Sequence, residues 1–147
     1  EIRPFFYTWS LMANLFPRNS KIIGSTANKE LNGLRTVGME KDGQMTYMIV
    51  NDSNSPKEVT IDVKNLNANN LKLFKYDYFD NDRKVDSNGY PVASKVLENV
   101  NLEEGYEVSL PSGGVVPVML KLQRILLNIS FILLIFGSMK MLIKQKQ

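Results

Sequence analysis

Between residues 19 and 120 the chain alternates apolar and polar residues in short runs, and this alternation limits the fold more than any other feature. The segment Val59–Lys64, with sequence VTIDVK, alternates at every position, and Tyr106–Leu110 does the same. Successive side chains of a strand point to opposite faces, so such segments present one face to a core and the other to water. Short strands separated by turns, with no helices between them, predict an antiparallel β-sandwich.

Eight segments fit this pattern and are bounded by turn residues. They are Ser20–Ser25, Leu34–Glu40, Met45–Asn51, Glu58–Val63, Leu71–Phe79, Val96–Val100, Tyr106–Leu110 and Val115–Leu120. Lys41-Asp42-Gly43-Gln44 predicts a tight hairpin turn. Pro117 favours an edge position for the last strand, because proline cannot donate to a sheet ladder. We therefore expect an all-β domain at residues 19–121, an antiparallel sandwich of about eight strands.

Residues 1–18 predict an N-terminal helix that docks on a large apolar surface. Pro4 suits a first helical turn and Pro17 ends the segment. The apolar residues recur at helical spacing and define a docking stripe: Phe5, Phe6, Trp9, Met12 and Phe16. The stripe packs either on the core of its own domain or on a domain that precedes it. The chain opens on Glu1 without an initiator methionine, so we expect it to be the later part of a longer protein.

The C-terminal residues 122–147 form an apolar run with a basic end. The segment Ile125–Ile143 would make a helix of roughly 28 Å, which is near the thickness of a bilayer core. Lys144 and Lys146 follow it and suit the cytoplasmic side. We expect a transmembrane helix that contacts membrane lipid and holds the domain on the extracellular face of a bacterial cell. Two alternatives remain open: a helix packed on the domain, and a non-native tail, in which case the protein would be secreted.

Composition excludes several function classes. The chain has no cysteine and no histidine, so it has no thiol nucleophile, no cysteine-ligated metal site and no histidine base. Its net charge is +3, but much of the positive charge flanks or lies within the apolar run. The cations concerned are Lys121, Arg124, Lys140, Lys144 and Lys146. The domain before them is slightly acidic, and we expect no nucleic-acid partner.

An acidic loop follows the fifth predicted strand. Its oxygen-bearing residues could form a calcium site, because hard cations prefer such ligands; the candidate ligands are Asp80, Asp82, Asp86 and Asn88. The alternative is a solvated loop, since turn residues are interleaved with these carboxylates. Calcium apart, we expect no cofactor. Glycoside hydrolysis needs two carboxylates facing each other across a sugar-binding cleft, and no such pair is predicted, so we expect no catalytic residue here.

Aromatic residues near the same loop suggest a second kind of site. Tyr76, Tyr78 and Tyr90 could stack on carbohydrate, since sugars pack against exposed rings. Alternatively, Phe74, Tyr76 and Tyr78 alternate as expected for the core face of one strand. Asn51-Asp52-Ser53 also fits the acceptor pattern for N-glycosylation.

Residues 3–120 resemble the C-terminal β-sandwich domain of clan A glycoside hydrolases. The resemblance rests on the order of three segments: RPFFYTWSLMANLFPRNSKII at 3–23, KYDYFD at 75–80 with DSNGYP at 86–91, and LPSGGVV at 110–116. It implies a (β/α)8 barrel upstream that carries the catalytic carboxylates, so none of those roles passes to this chain. The implied function is a non-catalytic accessory domain that braces the barrel. The alternative is a free-standing carbohydrate-binding or adhesion module tethered to the membrane.

Overall fold

The structure, a computed structural model, describes residues 4–27, 32–64, 71–77, 83–122 and 140–145. In this part of the chain, one helix, α1 (Pro4–Leu15), precedes a series of strands. The strands are β1 (Lys21–Ile23), β2 (Ser25–Ala27), β3 (Leu34–Lys41), β4 (Gln44–Asn51), β5 (Lys57–Lys64), β6 (Leu71–Lys75), β7 (Lys84–Val85), β8 (Pro91–Val92), β9 (Lys95–Val100), β10 (Tyr106–Leu110), β11 (Val115–Leu122) and β12 (Lys140–Gln145). The prediction of a mostly antiparallel β domain with one N-terminal helix is confirmed.

The strands form two larger sheets and one small hairpin. The six-stranded sheet has the order β1-β3-β4-β11-β6-β9, and every neighbouring pair in it is antiparallel. The four-stranded sheet has the order β10-β5-β12-β2, with β12 and β2 parallel. The hairpin pairs β7 with β8. β3 and β4 are joined directly by a turn, whereas β11 pairs with β4 and β6 from far along the chain, so the larger sheet combines local and distant pairings.

One core lies between the two larger sheets. Its buried side chains come from both of them and from the loop before β10: Leu34, Met45, Tyr47, Ile49, Leu71 and Leu73 from the six-stranded sheet, Val59, Ile61, Val108 and Leu110 from the four-stranded sheet, and Leu102 from the loop. Each such side chain contributes roughly 1.5–3 kcal/mol when it leaves water. The two inner faces are therefore held together by apolar burial.

The predicted hairpin turn joins β3 and β4 through Asp42 and Gly43. Both residues have positive φ, 51° and 77°, which is the backbone of a two-residue hairpin turn that matches strand twist. Glu40 supports the turn by accepting a hydrogen bond at 3.2 Å from the Gly43 N–H. The turn is therefore correctly predicted, because its residue pair dictates its geometry.

Pro117 does not place β11 at an edge, as the sequence suggested. β11 lies between β4 and β6. Pro117 pairs with Met48 on β4, whereas the ladder with β6 starts at Val118. The proline thus lies just outside the ladder with β6, and an interior strand accommodates it there.

The prediction of a C-terminal helix is wrong for the part of that segment that the structure describes. The prediction made Ile125–Ile143 helical, but Lys140–Gln145 forms β12, which pairs with β5 and β2. Pairing on both sides satisfies the backbone of this segment, which a lone helix end would leave partly open. The rest of the predicted helix, 125–139, lies outside the described residues. Among the described segments, no helix is both long and apolar enough to cross a bilayer.

Candidate functional site

Helix α1 packs on the sheets through one narrow stripe. Tyr7, Leu11 and Leu15 are spaced four residues apart and are 2–3% exposed. Phe16 and Tyr76 pack against them. We call these five residues the helix cluster. It is separate from the core between the two sheets, so the helix is an added layer with its own buried contacts.

The predicted docking stripe faces mostly outward. Phe5 is 69% exposed, Trp9 60% and Phe6 38%. Met12 is half-buried, and Phe16 belongs to the helix cluster. The segment is apolar on more than one face, so spacing alone could not determine which stripe this domain buries. An interdomain role for the outward residues stays a prediction.

Tyr7 explains why the helix buries the side that carries Tyr7, Leu11 and Leu15. Its hydroxyl donates a hydrogen bond to the backbone oxygen of Asp77 at 2.8 Å, and the Arg83 guanidinium carbon lies 5.7 Å from its ring centre. Burial, followed by the Asp77 charge, raises the pKa of Tyr7 to about 12, while Arg83 opposes the shift. Lys75 holds the Asp77 carboxylate at 2.8 Å. A polar tip and an apolar ring thus fix the first turns of the helix, a combination that phenylalanine cannot offer.

The outward residues of α1 join a ring from the β7–β8 hairpin. Phe5 and Trp9 meet edge to face, with centroids 5.9 Å apart, and Phe6 meets Tyr90 at 5.6 Å. Tyr90 is itself 48% exposed. We call Phe5, Phe6, Trp9 and Tyr90 the aromatic surface. Each ring of this kind can bury about 150–250 Å² in a contact, so the surface suits binding to an apolar or planar partner.

The turn before Tyr90 is closed by the Asp86 side chain. Its Oδ1 accepts hydrogen bonds from the backbone N–H groups of Asn88 at 2.8 Å and Tyr90 at 2.9 Å. The Asp86 N–H donates to Tyr90 O at 2.9 Å, and the Gly89 N–H donates to Asp86 O at 3.0 Å. Gly89 has φ of 83°, which glycine adopts without strain. This closure fixes Tyr90 beside Phe6.

The structure describes only two of the four predicted calcium ligands. Asp86 and Asn88 are exposed in this turn, where Asp86 Oδ1 already accepts two backbone hydrogen bonds. Asp80 and Asp82 lie outside the described residues. Within the described ranges, no three acidic side chains are grouped closely enough to hold a metal ion. The calcium site stays a prediction.

The predicted sugar-binding tyrosines occupy different environments. Tyr76 lies in the helix cluster, where burial raises its pKa, and Tyr90 lies on the aromatic surface. Tyr78 lies outside the described residues. The alternative put Phe74 and Tyr76 on the core face of a strand. Tyr76 does pack in an apolar cluster, but it follows the last residue of β6, and Phe74 is only partly buried. The segment carries apolar residues on both faces of the strand. Leu71 and Leu73 form the face of β6 that packs in the core between the two sheets.

Asn51 is a structural centre that the sequence did not reveal. Its side chain is 0% exposed, and its Nδ2 lies 2.8–3.1 Å from the backbone oxygens of Ser55, Leu110 and Pro111. Its Oδ1 accepts from the Ser53 N–H and hydroxyl. The amide thus ties the loop after β4 to the turn between β10 and β11. Burial also removes this side chain from the surface at which a glycan could be attached.

A shallow polar cleft of about 350 Å³ lies next to this loop. It is lined by Asn32, Gly33, Asp52, Ser53, Asn54 and Lys57. The Asp52 carboxylate pairs with Arg35 at 3.0 Å, and both side chains are largely exposed. Since solvent screens exposed pairs of this kind, the cleft offers weak electrostatic selectivity, and the aromatic surface is the better candidate site.

Comparison with known proteins shows that the chain resembles a solved structure in its fold. Neither a protein-family model nor a curated protein sequence matches the chain. Among solved structures, the chain is similar to a GH30 endoxylanase from Clostridium papyrosolvens, with a TM-score of 0.51 and 13% sequence identity. The match covers 80% of this chain and 28% of the endoxylanase. The chain therefore shares the fold of one segment of a clan A glycoside hydrolase.

Proposed function

We propose that this chain is a non-catalytic β-sandwich domain that accompanies a glycoside hydrolase barrel and braces it through the aromatic surface. The observation that carries the proposal is that Phe5 and Trp9 are 69% and 60% exposed on a helix whose opposite face is buried. The likeness to 28% of an endoxylanase supports it, because a segment of that size leaves room for a barrel.

The helix is well suited to carry such a contact. Its inner face is fixed by the helix cluster and by the Tyr7 hydroxyl on Asp77, so its outer face is presented in one orientation. Contacts between domains of one chain typically bury about 600–1,500 Å². The four rings of the aromatic surface would supply a large part of such a contact, with little loss of side-chain freedom.

In this proposal the catalytic carboxylates belong to the barrel, and the chain contributes position and stability. An extracellular location accompanies the proposal, because a barrel that cleaves a polysaccharide, as an endoxylanase does, has a substrate too large to enter a cell. That location does not depend on the apolar C-terminal run.

The test uses Trp9, which is the chain's only tryptophan. Protein labelled with 5-fluorotryptophan gives a single ¹⁹F resonance from this position. We expect addition of the unlabelled polypeptide encoded immediately upstream to shift that resonance and to form a stable complex. Trp9→Ala should weaken the complex, measured by calorimetry, whereas Ile22→Ala should not, since Ile22 is 72% exposed on β1 and lies outside the aromatic surface. An upstream sequence without a barrel, or a resonance that does not move, would contradict the proposal.

A carbohydrate-binding module is the second candidate, and the exposed rings of Trp9 and Tyr90 favour it. Sugar rings stack on such surfaces without any catalytic group. Titration of the labelled chain with soluble xylan distinguishes the two candidates. A saturable shift that Tyr90→Ala removes would support sugar binding, whereas no shift with xylan and a shift with the barrel would support the bracing role.

A further inference from the structure

Two Asn-Gly pairs occur in the chain, Asn32-Gly33 and Asn88-Gly89. In such a pair the backbone nitrogen of glycine can attack the Asn side-chain carbonyl carbon, because glycine has no Cβ to obstruct the approach. A new C–N bond closes a five-membered succinimide, the glycine N–H proton passes to solvent, and the side-chain nitrogen leaves as ammonia. Water then opens the ring at either carbonyl and gives aspartate or isoaspartate.

The second pair lies in an exposed turn that hydrogen bonds close from both ends. Asn88 is exposed to solvent. The Gly89 nitrogen, which would be the nucleophile, donates its hydrogen to Asp86 O at 3.0 Å. The Asn88 N–H donates to Asp86 Oδ1 at 2.8 Å, and the same oxygen accepts from Tyr90 at 2.9 Å.

We propose that Asn88 is a latent site of spontaneous deamidation that the Asp86 carboxylate holds closed. Ring closure requires the Gly89 nitrogen to lose its proton and to rotate towards the Asn88 side chain. In the folded turn the Gly89 N–H is bound to Asp86 O. The backbone N–H groups on either side of it, those of Asn88 and Tyr90, are held by Asp86 Oδ1. The turn must open before the reaction, so the rate of deamidation reports how often the β7–β8 hairpin opens.

The product would alter a defined part of the surface. Deamidation places a second carboxylate two residues from Asp86, and isoaspartate adds one backbone atom just before Gly89. Tyr90 is the next residue and meets Phe6 at 5.6 Å. The longer backbone would move Tyr90 out of that contact. This inference uses the hairpin geometry alone and does not depend on the proposed bracing role.

The experiment compares the folded chain with a synthetic peptide of residues 83–92 under the same mildly alkaline buffer. Peptide mass spectrometry follows the conversion of amide to acid at Asn88 over time. Since each hydrogen bond lost on opening is worth about a factor of five to ten, we expect the folded chain to react slower than the peptide by roughly tenfold or more. Equal rates in chain and peptide would overturn the proposal, and this comparison requires no variant.

Variants then test the role of Asp86. Asp86→Ala removes the side-chain acceptor Oδ1 but keeps the two backbone hydrogen bonds of the turn, so we expect its Asn88 rate to rise several-fold above wild type and to stay below that of the peptide. Asp86→Asn keeps an oxygen acceptor at the same place and should stay near the wild-type rate. A rate for Asp86→Asn as high as that for Asp86→Ala would overturn the assignment to the accepting oxygen. Asn32-Gly33 in the same samples is the internal reference, and its rate should not change between variants.

Discussion

The ring of Tyr47 on β4 lies across Gly38 on β3, and the two residues are direct partners in the sheet register. A Cβ atom on Gly38 would lie 2.7 Å from Tyr47 Cε1 and 3.0 Å from Ile23 Cγ1. The Tyr47 ring therefore occupies the space that a side chain at position 38 would need. Tyr47 is 1% exposed, and burial raises its pKa well above the ordinary value. Its hydroxyl donates to Met45 Sδ at 3.8 Å.

Gly38→Ala should destabilise the fold, because the added methyl group would overlap the buried ring of Tyr47. Overpacking of a core typically costs about 1–3 kcal/mol, and we expect a loss of that size in urea denaturation. Gly24→Ala is the matched control, since a Cβ at Gly24 would meet nothing within 4 Å. If both variants unfold at the same urea concentration, the close approach of Tyr47 to Gly38 is not a constraint on the sequence.

Leu11→Ala and Trp9→Ala should differ sharply although both lie on α1. Leu11 is 3% exposed and Trp9 is 60% exposed. Truncation of a buried leucine costs about 2–5 kcal/mol, whereas we expect Trp9→Ala to cost less than about 1 kcal/mol in the isolated chain. Thermal denaturation followed by circular dichroism measures both. A loss for Trp9→Ala as large as that for Leu11→Ala would show that Trp9 is part of this domain's own core.

Asn51→Ala should be among the most damaging polar substitutions. It leaves the backbone oxygens of Leu110 and Pro111 without their shared donor, and each unsatisfied buried group costs about 1–3 kcal/mol. We therefore expect a loss of roughly 3 kcal/mol in chemical denaturation. Ser53→Ala removes one hydroxyl that donates to Asn51 Oδ1 at 2.6 Å, and it should cost about 1 kcal/mol. Equal losses for the two variants would argue against Asn51 as the centre of this loop.

Tyr7 should make stability fall at alkaline pH. Its pKa rises from 10.0 to about 12 on folding, so between these values the unfolded chain loses a proton that the folded chain keeps. Stability is then fully present below pH 10.0 and decreases as pH rises towards about 12. Tyr7→Phe removes this titration, and its stability disadvantage relative to wild type should shrink over the same range. A constant difference between the two proteins across that range would contradict the assignment.

Truncation after Leu122 should weaken the four-stranded sheet. It removes β12, which lies between β5 and β2. Since each backbone hydrogen bond contributes about 1 kcal/mol net, we expect a loss of about 3 kcal/mol or more. The exposed edge of β5 should also promote aggregation, measured by light scattering. An equally stable and monomeric truncated protein would show that β12 is dispensable.

The sequence predicted the strands well where several residues repeat one pattern. Each of the eight predicted strands overlaps an observed one, because alternation over five or more residues leaves one way to bury the apolar face. β2, β7 and β8 have two or three residues each, too few for a period to be seen. β12 was missed because its apolar residues continue a longer apolar run, and the pairing with β5 that makes it a strand is distant in sequence.

The sequence predicted which aromatic residues of α1 form the candidate site, but not which way they face. The sequence identified the aromatic residues of α1, but the helix carries apolar residues on more than one side. The choice of the Tyr7 stripe depends on Asp77 and Arg83, which join it only in the fold. Asn51 likewise has partners more than fifty residues away, and a single asparagine in a turn-rich segment carries no sign of them.

The place of β12 has a consequence for the order in which the molecule assembles. In the described part of the chain, β2 is hydrogen-bonded to β12 alone within its sheet, with Thr26 opposite Leu142. A ribosome that has reached residue 100 has supplied β2 and β5 but not β12, which lies between them. Contacts between residues so far apart in sequence form slowly. Until residues 140–145 have been made, the nascent protein would therefore expose unpaired edges of β2 and β5, and this interval is the time at which a chaperone would be of most use.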